Sequence, residues 1–141
     1  MRVDDVLALE TWSRLKNDPT SQLVDVRTKA EWTFVGLPDL KTLGRQVIFV
    51  EWQTFPDGYI NTAFVPRLCS LLNGASLGTD THLFFICRTG GRSRLAAETM
   101  AEAGYPHCHN VSDGFEGPLD AQRQRGKLAG WKAVGLPWQQ S

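Results

Sequence analysis

Apolar positions along the chain fall into short runs separated by turn residues, and the spacing within the runs changes along the way. Leu9, Trp12 and Leu15 recur at threes with Arg14 and Lys16 between them, which predicts a helix over about 8–17, ended by Asp18-Pro19. Val6-Leu7 before it could form a short extended piece. Leu23 to Arg27 reads as a strand with one carboxylate, Asp25, inside an apolar run. A buried carboxylate needs hydrogen-bonding partners, either backbone N–H groups or an arginine. Arg27 is expected to pair with Glu31. Val47 to Glu51 reads as another strand, and 61–73 as a helix with Phe64, Leu68, Leu71 and Leu72 on one face. Pro66 either opens that helix or kinks it. His82 to Ile86 is a continuous run suited to a strand covered on both faces. From Arg92 the period lengthens. Leu95, Ala96, Thr99, Met100 and Ala103 make a small apolar helical face, stopped by Gly104 and Pro106. His107 to Val111 is a short strand with His107 and His109 on one side and Cys108 on the other.

The change of period around residue 90 matters chemically. The strand delivers Cys87 to a loop, Arg88-Thr89-Gly90-Gly91, and a helix begins at once. Glycines let the backbone fold close around a small ligand. Backbone N–H groups of such a loop and of the following helix terminus converge into an anion cradle. Arg88 and Arg92 add positive charge. The thiolate is the nucleophilic form of cysteine, and this setting favours an anion. Free cysteine more often behaves as a small buried hydrophobe; that reading is taken for Cys69 and Cys108, whereas Cys87 is read as a nucleophile.

Composition narrows the picture. Hydrophobic residues make up 42% and charged residues 21%, as in globular domains. Fifteen Lys plus Arg balance fifteen Asp plus Glu, so no general charge argument points to nucleic acid or a membrane surface. Three widely spaced cysteines without a CxxC argue against a disulfide framework or a zinc ribbon and fit a reducing compartment. No signal peptide or membrane span is expected, and a cytoplasmic location is. His107 and His109 without a third ligand are not expected to hold a metal, and no cofactor is expected.

Cys87-Arg88-Thr89-Gly90-Gly91-Arg92-Ser93 resembles the active-site loop of the rhodanese-like sulfurtransferases. The likeness extends to Leu23-Val24-Asp25-Val26-Arg27 with Glu31-Trp32, and to Asn110-Val111 with Asp113-Gly114-Phe115. It implies an α/β fold: a central, mostly parallel sheet of about 4–5 strands flanked by helices on both faces. It also implies one domain over 1–141, with the active-site loop at 87–93. In that family the residues matching Asp25 and Arg27 are mainly architectural. Residues 33–46 depart from the family's usual Gly-His-Ile-Pro-Gly-Ala segment and read as a loop with one helical turn. Trp52, Phe55 and Tyr59 either wall a pocket or cover the core, and Glu116 either approaches that pocket or stays solvated. The 118–141 stretch, with Trp131 and Trp138, is expected to dock on the body.

The resemblance implies a sulfurtransferase working through a persulfide on Cys87, with a small sulfur-containing anion such as thiosulfate as donor and cyanide, a thiol or a protein as acceptor. Arg88, Thr89, Gly90, Gly91, Arg92 and Ser93 would bind the donor or shape the cradle. Cysteine phosphatases place five residues between cysteine and arginine, whereas Cys87 and Arg92 have four between them. A phosphatase or arsenate reductase is the first alternative, and a non-enzymatic sulfur-carrier or partner-binding module is the second.

Overall fold

The structure is a computed structural model and describes residues 3–140. Five strands form one all-parallel sheet: β1 (Asp4–Val6), β2 (Gln22–Asp25), β4 (Ile48–Phe49), β5 (Leu83–Ile86) and β6 (Cys108–Val111), in the spatial order β1-β6-β5-β2-β4. A separate antiparallel pair joins β3 (Leu37–Pro38) to β7 (Trp138–Gln139). The helices are α1 (Ala8–Asn17), α2 (Lys29–Phe34), α3 (Phe64–Gly74) and α4 (Gly91–Glu102), with a 3₁₀ turn at Lys41–Leu43.

Residues on alternate sides of the sheet feed two cores. Val24, Phe85 and Cys108 point towards Phe64, Leu68 and Leu72 of α3 and Ala96, Ala97 and Met100 of α4. Leu23, Phe84 and Val111 point the other way, towards Ala8 and Leu15 of α1 and towards Trp131 and Leu136 near the C-terminus. Helices therefore cover both faces of an α/β sheet, the arrangement expected from the sequence, although the central sheet is parallel throughout. β5 has no exposed residue because it lies in the middle with both faces covered.

Several local expectations are corrected. Arg27 pairs with Asp25 and not with Glu31: its Nη2 donates to Asp25 Oδ2 at 2.8 Å, and both side chains are fully buried. The two residues lie two apart on an extended backbone, so they share a side. Arg27 Nη2 also donates to the Gly36 carbonyl at 2.8 Å, and the guanidinium lies 4.2 Å from the Phe115 ring centroid. α3 begins at Phe64, so Pro66 sits in its first turn, where the missing N–H costs nothing. The buried face of α4 is Ser93, Ala96, Ala97, Met100 and Ala101, while Leu95 is exposed.

All three histidines of the sequence meet around the N-terminal ends of β5 and β6. The His82 ring stacks on His107 and on His109, and His109 Nδ1 bonds the Asp4 carboxylate. Arg14 and Asp18 are the other charged groups acting on them. Burial pushes the His82 imidazole below its usual value, and the His107 charge adds to this. Burial also lowers His109, more than Asp4 raises it. Below the ordinary value of 6.5 the unfolded chain therefore binds more protons than the native one. Stability is expected to be fully present above about pH 6.5 and to fall as the pH drops towards 5. Urea midpoints measured at pH 7.5 and 5.5 check this; equal midpoints would contradict it.

Candidate active site

Cys87 follows β5 directly, and Gly90 caps α4 with a positive φ of 104°. A Cβ at Gly90 would lie 2.6 Å from the Ser112 carbonyl oxygen, so glycine is required both by conformation and by space. The Gly90 N–H donates to Cys87 Sγ at 3.1 Å, and Ser93 Oγ lies 3.2 Å from the same sulfur. The sulfur thus sits under the N-terminus of a twelve-residue helix, whose first-turn N–H groups have no acceptor within the helix.

The turn after β6 holds the outside of the loop. Phe115 N–H donates to the Cys87 carbonyl at 2.8 Å, and the Glu116 and Gly117 N–H groups both donate to the Arg88 carbonyl at 3.1 Å. These carbonyls are thereby occupied away from the sulfur. Gly114 makes the approach possible, because a Cβ there would collide with the Arg88 carbonyl. Asp113 fastens the same turn by accepting from the Ala8 N–H at 2.9 Å and the Gly130 N–H at 3.2 Å.

The two arginines are in different states. Arg92 makes a two-pronged pair with Glu31, at 2.7 and 2.9 Å. Burial pushes the Glu31 carboxyl up, but the Arg92 hydrogen bonds and charge outweigh it and hold Glu31 below its usual value. The Glu31 hydrogen bond raises the Arg92 guanidinium in turn. Glu31 also closes a capping box with Thr28 at the start of α2, so α2 and α4 are tied together beside the loop. Arg88 is exposed and has no ion-pair partner among the described residues.

Beside the loop lies a cavity of about 620 Å³, bordered by Arg88, Arg92, Glu31, Glu116, Phe34 and Phe55. Of the three aromatic residues weighed as pocket walls, Phe55 lines this space. Trp52 is buried edge-on against Phe64, and Tyr59 is 73% exposed without lining the cavity. Thr89 opens instead onto a second depression with Ser112 and Asp113.

The other thiols differ from Cys87. Cys108 donates to the Tyr105 carbonyl, and burial pushes its thiol up to about 12. Cys69 packs against the α3 and α4 core. No group of three His, Cys, Asp or Glu among the described residues is placed to hold a metal ion, and no described helix is long and apolar enough to cross a membrane.

A family model described as the STR4 middle domain matches residues 5–141. The chain belongs to that family, and it is a rhodanese-like domain. The crystal structure of Rv0390 from M. tuberculosis is similar over the full length of both chains, at 46% identity with a TM-score of 0.87. Protein RC0915 of Rickettsia conorii is 36% identical over 139 residues, covering 99% of each chain. The rhodanese-like domain-containing protein 4 of Arabidopsis thaliana is 28% identical over 131 residues, which are 93% of this chain and 24% of that protein.

In this rhodanese-like domain the loop residues named from sequence stand in different relations to the Cys87 sulfur. Gly90 and Ser93 touch it, Arg88 and Arg92 border the adjoining cavity, and Thr89 faces away from it. Three participants escaped the sequence reading. Glu31 holds Arg92, and its signal was the Thr28-x-x-Glu31 capping pattern before a short helix. Asn110 Oδ1 lies 2.5 Å from Ser93 Oγ, and Asp5 of β1 accepts from Asn110 Nδ2 at 3.0 Å. Nothing local marks either role.

Proposed function

We propose that this rhodanese-like protein is a sulfurtransferase that carries sulfane sulfur as a persulfide on Cys87. The observation that supports it best is the placement of the Cys87 sulfur. It lies at the N-terminus of α4 and within hydrogen-bonding distance of the Gly90 N–H and the Ser93 hydroxyl. The four-residue spacing from Cys87 to Arg92 makes a cradle shorter than a phosphatase loop. Cys87 attacks as the thiolate at the outer sulfur of thiosulfate. The thiosulfate S–S bond breaks, its electron pair leaves with sulfite, and Cys87 holds a persulfide. Loop N–H groups receive the negative charge of the terminal sulfur. An acceptor nucleophile, cyanide or a thiolate, then attacks that terminal sulfur and returns Cys87 to thiolate. Neither leaving group needs a strong general acid.

The charge states of the arginines divide the work. Arg88, without an ion-pair partner among the described residues, is the group for the donor's anionic end; Arg92, neutralised by Glu31, shapes the loop wall. Removing Arg92 would uncover the Glu31 carboxylate beside an anion site. Arg92→Ala is therefore expected to raise KM for thiosulfate by about tenfold, the scale of one lost charged contact. The check is steady-state thiocyanate production from thiosulfate and cyanide. An unchanged KM would mean that the uncovered Glu31 carboxylate is not felt where the donor binds, and no thiocyanate from the unaltered protein together with activity on an aryl phosphate would favour the phosphatase reading.

A further inference from the structure

Ser93 has two neighbours that both call for its proton. Its hydroxyl oxygen is 3.2 Å from Cys87 Sγ and 2.5 Å from Asn110 Oδ1. A serine hydroxyl carries one proton, so it donates to only one of them at a time. The orientation of the Asn110 amide is not free. Its Nδ2 donates to the Gly90 carbonyl at 3.1 Å and to the Asp5 carboxylate at 3.0 Å, both pure acceptors. The carboxamide oxygen must therefore face Ser93. Asp5 is in turn held by Arg94 Nη1 at 2.8 Å. Ser93 is fully buried and Asn110 is 3% exposed, so water is poorly placed to relieve the competition.

We propose that the Asn110 carboxamide competes with the Cys87 sulfur for the proton of Ser93, making Asn110 a positioning residue that sets the balance between thiol and thiolate. While Cys87 is a thiol, its S–H donates to Ser93 Oγ and Ser93 donates to Asn110. When the thiol proton leaves to solvent, the Ser93 hydroxyl turns to the sulfur and Asn110 Oδ1 loses its donor. A buried acceptor left without a donor costs free energy, so Asn110 opposes ionisation while Ser93 supports it. β1 takes part through Asp5, which fixes which way the amide faces. The proposal deepens the reading of Cys87 as nucleophile and rests on it for its functional meaning.

The two side chains should therefore act with opposite sign. The test is the rate of Cys87 alkylation by iodoacetamide across pH in the full chain, with the modified peptide identified by mass spectrometry. Ser93→Ala is expected to move the profile to higher pH and to slow alkylation at neutral pH by about tenfold. Asn110→Ala is expected to move it to lower pH and to speed alkylation by about threefold. In the Ser93→Ala background the acceleration by Asn110→Ala should vanish, because the competition needs the hydroxyl; only the lost donor to the Gly90 carbonyl then remains. If Asn110→Ala does not fold, Asn110→Val replaces it, since a β-branched side chain suits β6. Shifts in the same direction for both single variants, or an acceleration by Asn110→Ala that persists without the hydroxyl, would overturn the proposal. The readout needs no turnover. Opposite shifts in a protein that thiosulfate cannot load would leave the proton competition standing and refute sulfur transfer, whereas loading with same-sign shifts would do the reverse.

Discussion

Cys87→Ser is expected to reduce sulfur transfer by at least about a thousandfold, the order of loss that follows removal of a covalent nucleophile. The replacement is nearly isosteric. Its hydroxyl would take the place of a sulfur that is 1% exposed, and it could still accept from the Gly90 N–H. The thermal midpoint should therefore stay within a few degrees of the original, roughly the effect of a substitution costing 1 kcal/mol. No second thiol is placed to take over. Cys108 has its thiol raised to about 12 by burial, and Cys69 meets Tyr105, which follows the C-terminal end of α4, whereas the loop lies at its N-terminus. Thiocyanate production and the unfolding midpoint, measured on the same preparation, separate chemistry from folding. Turnover retained by the serine variant would move the nucleophile elsewhere.

The second large effect concerns stability. Arg27→Ala is expected to cost about 3–5 kcal/mol, because it leaves the Asp25 carboxylate buried and unpaired. It also removes the donor to the Gly36 carbonyl and the cation over the Phe115 ring. Phe115 belongs to the turn that donates to the Cys87 carbonyl, so the loss should loosen the loop as well as the core. Replacing both partners by apolar residues of similar size, Asp25→Leu with Arg27→Met, should recover most of the loss, since the stranded charge is gone. Denaturant unfolding of the single and double variants measures both. A loss below about 1 kcal/mol in the single variant would mean that the pair is solvated or replaceable.

The parts of the fold that were legible in the sequence are those with a strong, uninterrupted period. Residues 83–102 carry an apolar strand run joined to a helical one, and the structure has β5 and α4 there, with the glycine turn between. α1 spans Ala8–Asn17, the range its three-residue spacing suggests. α2 has only six residues, too few to show a period, and only its capping box announces it. Arg27 pairs with Asp25 and not with Glu31 because the backbone is extended at the end of β2. Alternation by two puts Asp25 beside it. In α4 the buried face turned out to be Ala96, Ala97, Met100 and Ala101, because small residues let the helix pack close while Leu95 lies outside. The link from Asp5 to Asn110 spans 105 positions and joins an edge strand to the active loop. Parallel register between β1 and β6 creates it, and no local pattern encodes such a register.

The central claim is that Cys87 becomes a persulfide, and the most direct measurement is the intact and peptide mass of the protein after thiosulfate, before and after cyanide. The account predicts a gain of one sulfur atom on the peptide carrying Cys87, and its complete loss on adding cyanide, with thiocyanate released. An unchanged mass at Cys87 under saturating thiosulfate, or added sulfur found only on Cys69 or Cys108, would contradict it.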